Sequence, residues 1–269
     1  MAPFQRLVRF EADDGSILYG DVRDPSLVSA MQGARVPVLA GSFQTGFEPT
    51  SRTATIKRVL APLPVEAVHY FLCLDIPQCP VLFTKPPDAL AGHEEAIPIH
   101  PEAQSQLDYE AELAVIIGRD GRDIAPERAL EHVLGYACAN DVSARSFQLP
   151  ARVSGGQWCF AKSFDGFAPL GPLVASPDVV PDPQALTLAA RVNGQPRQRA
   201  STADMIWSVR QIIAFASKGT TLRRGTVILT GTPSGVGLFM EPPVFLGTGD
   251  EVEVEIQELG ILRNTFDFV

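Results

Sequence analysis

Glu110 and Glu112 stand one residue apart in "LDYEAELAVIIG" (Leu107 to Gly118), and Asp108 precedes them with the same spacing. Side chains alternate along a strand, so these carboxylates share a face, Glu110 and Glu112 roughly 6–7 Å apart along the backbone. The opposite face carries Leu107, Tyr109, Ala111, Leu113 and Val115. A solvated edge strand would show the same alternation. Against it, the run continues into Ile116 and Ile117, apolar on both faces. Buried carboxylates need a cation or hydrogen-bond donors. A third acid, Asp141, follows another apolar stretch in "GYACANDVSAR". Three carboxylates without a matching His or Cys set suit a hard divalent ion with oxygen ligands, Mg²⁺ or Mn²⁺. An ion held by three protein ligands keeps positions open for water and for a chelating substrate.

The elements that must position these groups are mostly strands. "LAVIIG" reads as a buried strand from its β-branched content, and "GTVILTG" as another. "DEVEVEIQELGILRNTF" reads as a strand pair about a Gly260 turn, and "LVRFEADDGSILYGDV" as two short strands around Asp13, Asp14 and Gly15. "APERALEHVLG" predicts a short helix, with Pro126 in its first turn, Leu130, Val133 and Leu134 on one face and Gly135 at the stop. "STADMIWSVRQIIAFASKG" predicts the main helix. Ser201 and Asp204 have capping-box spacing, Met205, Ile206, Val209, Ile212, Ile213 and Ala216 form a stripe, and Gly219 ends it. Residues 25–60 are weakly patterned and read as irregular. "RVLAPLP" (Arg58 to Pro64) reads as a linker. The expectation is a mostly β protein with a few helices (α+β), divided into a small N-terminal β domain with its linker, 1–64, and a catalytic domain, 65–269.

A chain of 269 residues with 45% hydrophobic content affords a sizeable core. Its 22 basic and 31 acidic residues give a net charge of −9, without a Lys/Arg cluster. This argues against nucleic acid and anionic membrane surfaces as partners. "MAPFQRLVRFEADDG" turns polar too soon for a signal peptide, and no apolar run approaches a membrane span. Cys73, Cys79, Cys138 and Cys159 lack zinc-site spacing and read as reduced thiols of a cytoplasmic protein. The 23 prolines and 22 glycines suit many short strands and turns. His69, His93, His100 and His132 form no ligand pattern; His93 is the one to watch, because "ALAGHEEAIPI" precedes the acidic strand.

The segments "DYEAELAVIIG", "GYACANDVSARSFQ", "QWCFAKSFDGFAPLGP", "VNGQPRQ", "ILTGTPSGVG" and "GTGDEVEVEIQELGILRNTF" occur in that order. Together they resemble the fumarylacetoacetate hydrolase superfamily over about Pro80 to Phe268. The likeness is nearest to fungal members of its small bacterial-type branch, which includes oxo-acid decarboxylases, tautomerases and C–C hydrolases. The resemblance implies the family's mixed β-sandwich roll, a homodimer, and Glu110, Glu112 and Asp141 as ligands of Mg²⁺ or Mn²⁺. It implies that Arg145 and Gln148 face the substrate, where an Arg fork binds two carboxylate oxygens at once. It further implies that Lys162 neutralises a developing enolate or holds a carboxylate, and that Thr232 hydrogen-bonds substrate. Asp165 would orient its loop or pair with Lys162. Gly231, Gly235 and Gly237 let the backbone turn tightly and approach a ligand.

One departure bears on the chemistry. The family usually carries "GLNYxxHxxE" before "PxxFxKP", a lid whose His and Glu activate water. Here that region is "VHYFLCLDIPQCPVLFTKP", and neither His69 nor Asp75 falls where the dyad should be. Hydrolysis of a C–C bond needs such a base, typically for about 10²–10⁴-fold in rate. The expectation is therefore a metal-dependent enzyme acting on an enolisable oxo acid or 1,3-dicarbonyl compound through a metal-stabilised enolate. Tautomerisation, decarboxylation or a cyclase-type rearrangement, in fungal secondary metabolism, would fit. The alternatives are an acylpyruvate- or fumarylacetoacetate-type hydrolase with a replaced base, and an inactive binding or scaffold homologue.

Overall fold

The computed structural model describes residues 2–63, 78–149 and 151–269, together with the backbone of 68–70. Four strands form the centre of an eleven-stranded sheet: Ala168–Ala175, Val133–Asn140, Ala111–Ile117 and Val227–Leu229, antiparallel throughout. Every residue of Ala111–Ile117 and Val133–Asn140 is buried. A strand covered on both faces must be apolar on both, and "LAVII" and "VLGYACA" satisfy that.

A five-stranded sheet packs on one face. Its order is Gln195–Ser201, Thr187–Val192, Glu251–Ile256, Gly260–Phe268 and Ala96–Ile99. Leu188, Ala190, Val252, Val254, Leu262 and Phe266 from this sheet share a core with Leu107, Tyr109, Ala111, Leu113 and Val115. The face expected to be apolar is thus the sandwich interior, and the carboxylates point the other way. On the carboxylate side, Ala114, Ile116, Ala137 and Ala139 join a second core with Phe4, Leu7, Phe43 and Phe47.

The N-terminal strands Arg6–Ala12, Ile17–Asp21, Arg35–Ser42 and Gly46–Leu60 extend the large sheet, Leu7 pairing with Val174. Residues 25–60 are therefore more regular than their pattern suggests. The strand Gly46–Leu60 is exposed or half-buried at all but Phe47 and Ile56, so it leaves almost no apolar alternation to read. Residue 64, where the domain boundary was expected, lies outside the described residues, as does most of "VHYFLCLDIP".

Both helix expectations need correction. Pro126–His132 is a 3₁₀ turn that passes directly into Val133–Asn140, so Val133 and Leu134 are strand residues. Gly135 lies inside the strand, where a Cβ would stand 2.4 Å from the Ala175 carbonyl oxygen. The Ser201–Asp204 capping box exists but caps only the 3₁₀ turn Thr202–Asp204. Ser208 and Gln211 form a second box that starts the α-helix Val209–Ala216, which buries Val209, Ile212 and Ile213. Met205 and Ile206 precede the helix, and Ile206 is exposed.

Candidate active site

Strand register builds the acidic centre. Ala111 pairs with Asn140 and Glu112 with Ala139. The Asp141 N–H donates to the Glu110 carbonyl at 2.9 Å, which sets Asp141 across from Glu110. One carboxylate oxygen from each of Glu110, Glu112 and Asp141 lies within 4.8 Å of the others. All three residues are 0% exposed. The acidic strand lies between two others, so the edge-strand alternative does not hold.

Three cations surround the acids. Lys162 ends the single-turn helix Cys159–Lys162, and its Nζ lies 2.7 Å from Asp141 Oδ2 and 2.9 Å from Glu110 Oε2. Arg145 opens the turn Arg145–Gln148; its Nη1 lies 2.6 Å from Glu110 Oε1 and donates to Gln148 Oε1 at 2.7 Å. Its Nε donates to Asp108 Oδ2 at 2.9 Å. Lys85 Nζ lies 2.6 Å from Asp141 Oδ1 and donates to the carbonyls of Val142 and Phe167. Glu110 Oε2 and Asp141 Oδ1 meet these ammoniums as ion pairs outside hydrogen-bond geometry.

Glu112 is different. Its Oε2 accepts the Gly231 N–H at 2.6 Å, while its Oε1 has no partner among the described residues. Burial, followed by the charges of Asp141 and Glu110, pushes Glu112 well above the usual carboxylate range. Burial acts on Asp141 too, but the ammoniums of Lys162 and Lys85 outweigh it and hold Asp141 low. Lys85 is itself lowered by burial to about 8, against the pull of Asp141. Four buried acids, Asp108, Glu110, Glu112 and Asp141, face three buried cations, Lys85, Arg145 and Lys162. Among the described residues, four against three leaves one acid formally uncompensated, and Glu112 is the acid without an ion pair there. An all-oxygen triad with an orphaned oxygen fits a hard divalent cation.

The other expected residues take clear places. Gln148 is buried, with Nε2 unpartnered among the described residues. Thr232 donates to the Ala111 carbonyl at 3.0 Å and accepts from Gln198 Nε2 at 2.8 Å, so its hydroxyl braces the loop to the acidic strand. Gly231 and Gly235 have positive φ, and a Cβ on Gly237 would stand 2.0 Å from the Val244 carbonyl oxygen. Asp165 is exposed and does not pair with Lys162. His93 accepts the Arg263 N–H at 3.1 Å and lies against Glu94. The side chain of His69 and all of Asp75 lie outside the described residues.

Four further residues support the site without a clear mark in the sequence. Lys85 sits in "FTKP", and nothing in a lone lysine announces burial. Asp108 was seen only as sharing a face; it accepts from the N–H groups of Tyr109, Gly237 and Leu238 and orients Arg145. Asn140 accepts the Glu110 N–H through Oδ1 at 3.0 Å. Gln198 accepts the Ala111 N–H and donates to the Pro233 carbonyl, tying the second sheet to the site. A polar residue inside each quoted motif was the available signal.

A family model for the fumarylacetoacetate (FAA) hydrolase C-terminal region matches residues 67–267. The chain belongs to the fumarylacetoacetate hydrolase family. It is 46% identical over 189 residues to the mitochondrial oxaloacetate tautomerase fahd2 of Xenopus laevis, covering 70% of this chain and 58% of that one. It is 44% identical over 190 residues to the oxaloacetate tautomerase YisK of Bacillus subtilis, covering 71% and 62%. The chain thus spans less than two thirds of the length of these two relatives. Among solved structures, a family member described as a 2-hydroxyhepta-2,4-diene-1,7-dioate isomerase from Mycobacterium marinum superposes with a TM-score of 0.84. It is 34% identical, with 98% of each chain covered. The fumarylacetoacetate hydrolase of Exiguobacterium antarcticum gives 0.81 at 34% identity, covering 98% of this chain and 100% of its own.

Proposed function

We propose that this chain is a divalent-metal-dependent tautomerase of a small 2-oxo acid, with oxaloacetate as its test substrate. The observation that carries the reading is the buried triad Glu110, Glu112 and Asp141, whose Glu112 Oε1 meets no partner among the described residues. These three residues would hold Mg²⁺ or Mn²⁺. When bound, the ion supplies Lewis acidity toward the oxo and carboxylate oxygens of the acid. The rest falls to the chain's own groups. Arg145 uses Nε and Nη1 on Asp108, Glu110 and Gln148, which leaves Nη2 for a substrate carboxylate. Gln148 Nε2 is a second free donor beside it. Lys162 Nζ, between Glu110 and Asp141, is placed to steady negative charge on the enol oxygen as solvent takes a proton from the adjacent carbon, and to hand that oxygen a proton that solvent then replaces. The names of the tautomerase and isomerase relatives support keto–enol chemistry. Residues 65–269 would form the catalytic unit, with 1–64 as a small β unit beside it. Exposed Phe160 and Phe239 offer apolar surface for a homodimer.

The test follows the enol absorbance of oxaloacetate in metal-stripped protein before and after Mg²⁺ or Mn²⁺ is restored, beside hydrolysis of an acylpyruvate. Metal-dependent tautomerisation is expected, with at least about a hundredfold loss in Glu110→Ala and Lys162→Ala and little change in His69→Ala. Efficient acylpyruvate hydrolysis abolished by His69→Ala would overturn the reading in favour of a hydrolase.

A further inference from the structure

Gln198 is the one buried residue of the strand Gln195–Ser201, at the edge of the five-stranded sheet. A polar side chain that turns inward while its neighbours stay exposed or half-buried must find partners for its whole amide. Gln198 does so. Its Oε1 accepts the Ala111 N–H at 3.0 Å, and its Nε2 donates to Thr232 Oγ1 and to the Pro233 carbonyl, both at 2.8 Å. The partners fix which end is which, because an N–H can only donate and a carbonyl can only accept.

These partners bracket the acids. Ala111 stands between Glu110 and Glu112. Thr232 and Pro233 follow Gly231, whose N–H holds Glu112 Oε2 at 2.6 Å, while Oε1 has no partner among the described residues. The Thr232 hydroxyl accepts from Gln198 and donates to the Ala111 carbonyl. The N–H and the carbonyl of Ala111 are thus both tied to Gln198, the first directly and the second through Thr232. The far half of the loop is held separately: the Tyr109 hydroxyl donates to the Gly235 carbonyl, and Asp108 accepts the Gly237 and Leu238 N–H groups. Loss of the Gln198 amide therefore loosens Gly231 to Pro233 and leaves the rest of the loop anchored.

We propose that Gln198 is a positioning residue for the metal centre, resting on the reading of the triad as that centre. It fixes the Ala111 peptide and the segment Gly231 to Pro233, so that Gly231 keeps Glu112 Oε2 and Oε1 is left for the ion. It acts through Glu112 and Thr232 and ligates nothing itself.

Calorimetric titration of the metal-stripped full chain with Mn²⁺ tests this. Gln198→Met keeps the length of the side chain without the amide, and should weaken Mn²⁺ binding by about 10–100-fold. Thr232→Val should weaken it too, and Thr232→Ser should restore most of what Thr232→Val loses. The double variant Gln198→Met/Thr232→Val should lose less than the two single losses combined, because both act on one segment. Asn264→Leu is the control for a purely structural effect. Asn264 is also buried and also donates to two carbonyls, those of Gly92 and Glu95, neither of which bonds to the triad among the described residues. Its variant should lower the melting temperature yet leave Mn²⁺ affinity within about twofold. Wild-type affinity in Gln198→Met, or an equal loss in Asn264→Leu, would overturn the positioning role. A wild-type chain that binds no Mn²⁺ would overturn it together with the metal reading. Oxaloacetate turnover on the same samples separates the claims: the expected binding losses without turnover by the wild type reject the tautomerase reading and keep the positioning role.

Discussion

Glu112 and Lys85 mark the two ways this chain keeps charge in its interior. Lys85 compensates Asp141 and is anchored by two carbonyls, so its removal leaves a buried carboxylate short of a cation. Breaking such a pair from one side costs about 3–5 kcal/mol. Lys85→Met should therefore lower the urea midpoint by a corresponding amount with the m-value unchanged; a midpoint like that of the wild type would show that Lys85 contributes nothing net. His93 makes a pH prediction away from the triad. Burial lowers it from 6.5, with Arg263 acting in the same direction and Glu94 against. The unfolded chain then binds more protons than the folded one below pH 6.5, so stability falls as pH drops through that window. His93→Gln should flatten this part of the stability–pH profile; an unchanged slope would assign it to other groups.

Elements explain which residues could be read in advance. Glu110, Glu112 and Asp141 were legible because acids in or beside buried strands break an apolar pattern; period-two alternation fixes the face of Glu112 alone, since Glu110 and Asp141 lie just outside the strands Ala111–Ile117 and Val133–Asn140. The helix stripe of Met205 and Ile206 misled because two capping boxes follow one another, and the second, at Ser208, starts the helix. Gly46–Leu60 was illegible because pairing between exposed strands needs no hydrophobic pattern. Asp108 acts through the loop it ties down, a long-range contact with no local signature. That loop is the place where a single methyl should do most damage. Gly237→Ala would put Cβ 2.0 Å from the Val244 carbonyl oxygen and 2.8 Å from Asp108 Oδ1. A loss of about 1–3 kcal/mol is expected, read as a lower melting temperature. A variant as stable as the wild type would show that the loop yields.

Across the molecule, two cores clamp the central strands, and the triad lies at the Asn140 end of Val133–Asn140, where Ala139 pairs with Leu170, away from the Val174–Ala175 end that the N-terminal strand joins. The site is therefore preorganised by the sheet itself, and its formal charge deficit is fixed before any ligand arrives. Among the described residues, no helix is long and apolar enough to cross a membrane. Calorimetric titration of the metal-stripped chain with Mn²⁺ shows directly whether the triad is a metal centre. One ion should bind per chain, with a loss of at least about tenfold in affinity in Glu112→Gln, whose neutral side chain cannot balance the cation. Equal Mn²⁺ binding by wild type and Glu112→Gln, or no binding by either, would contradict it.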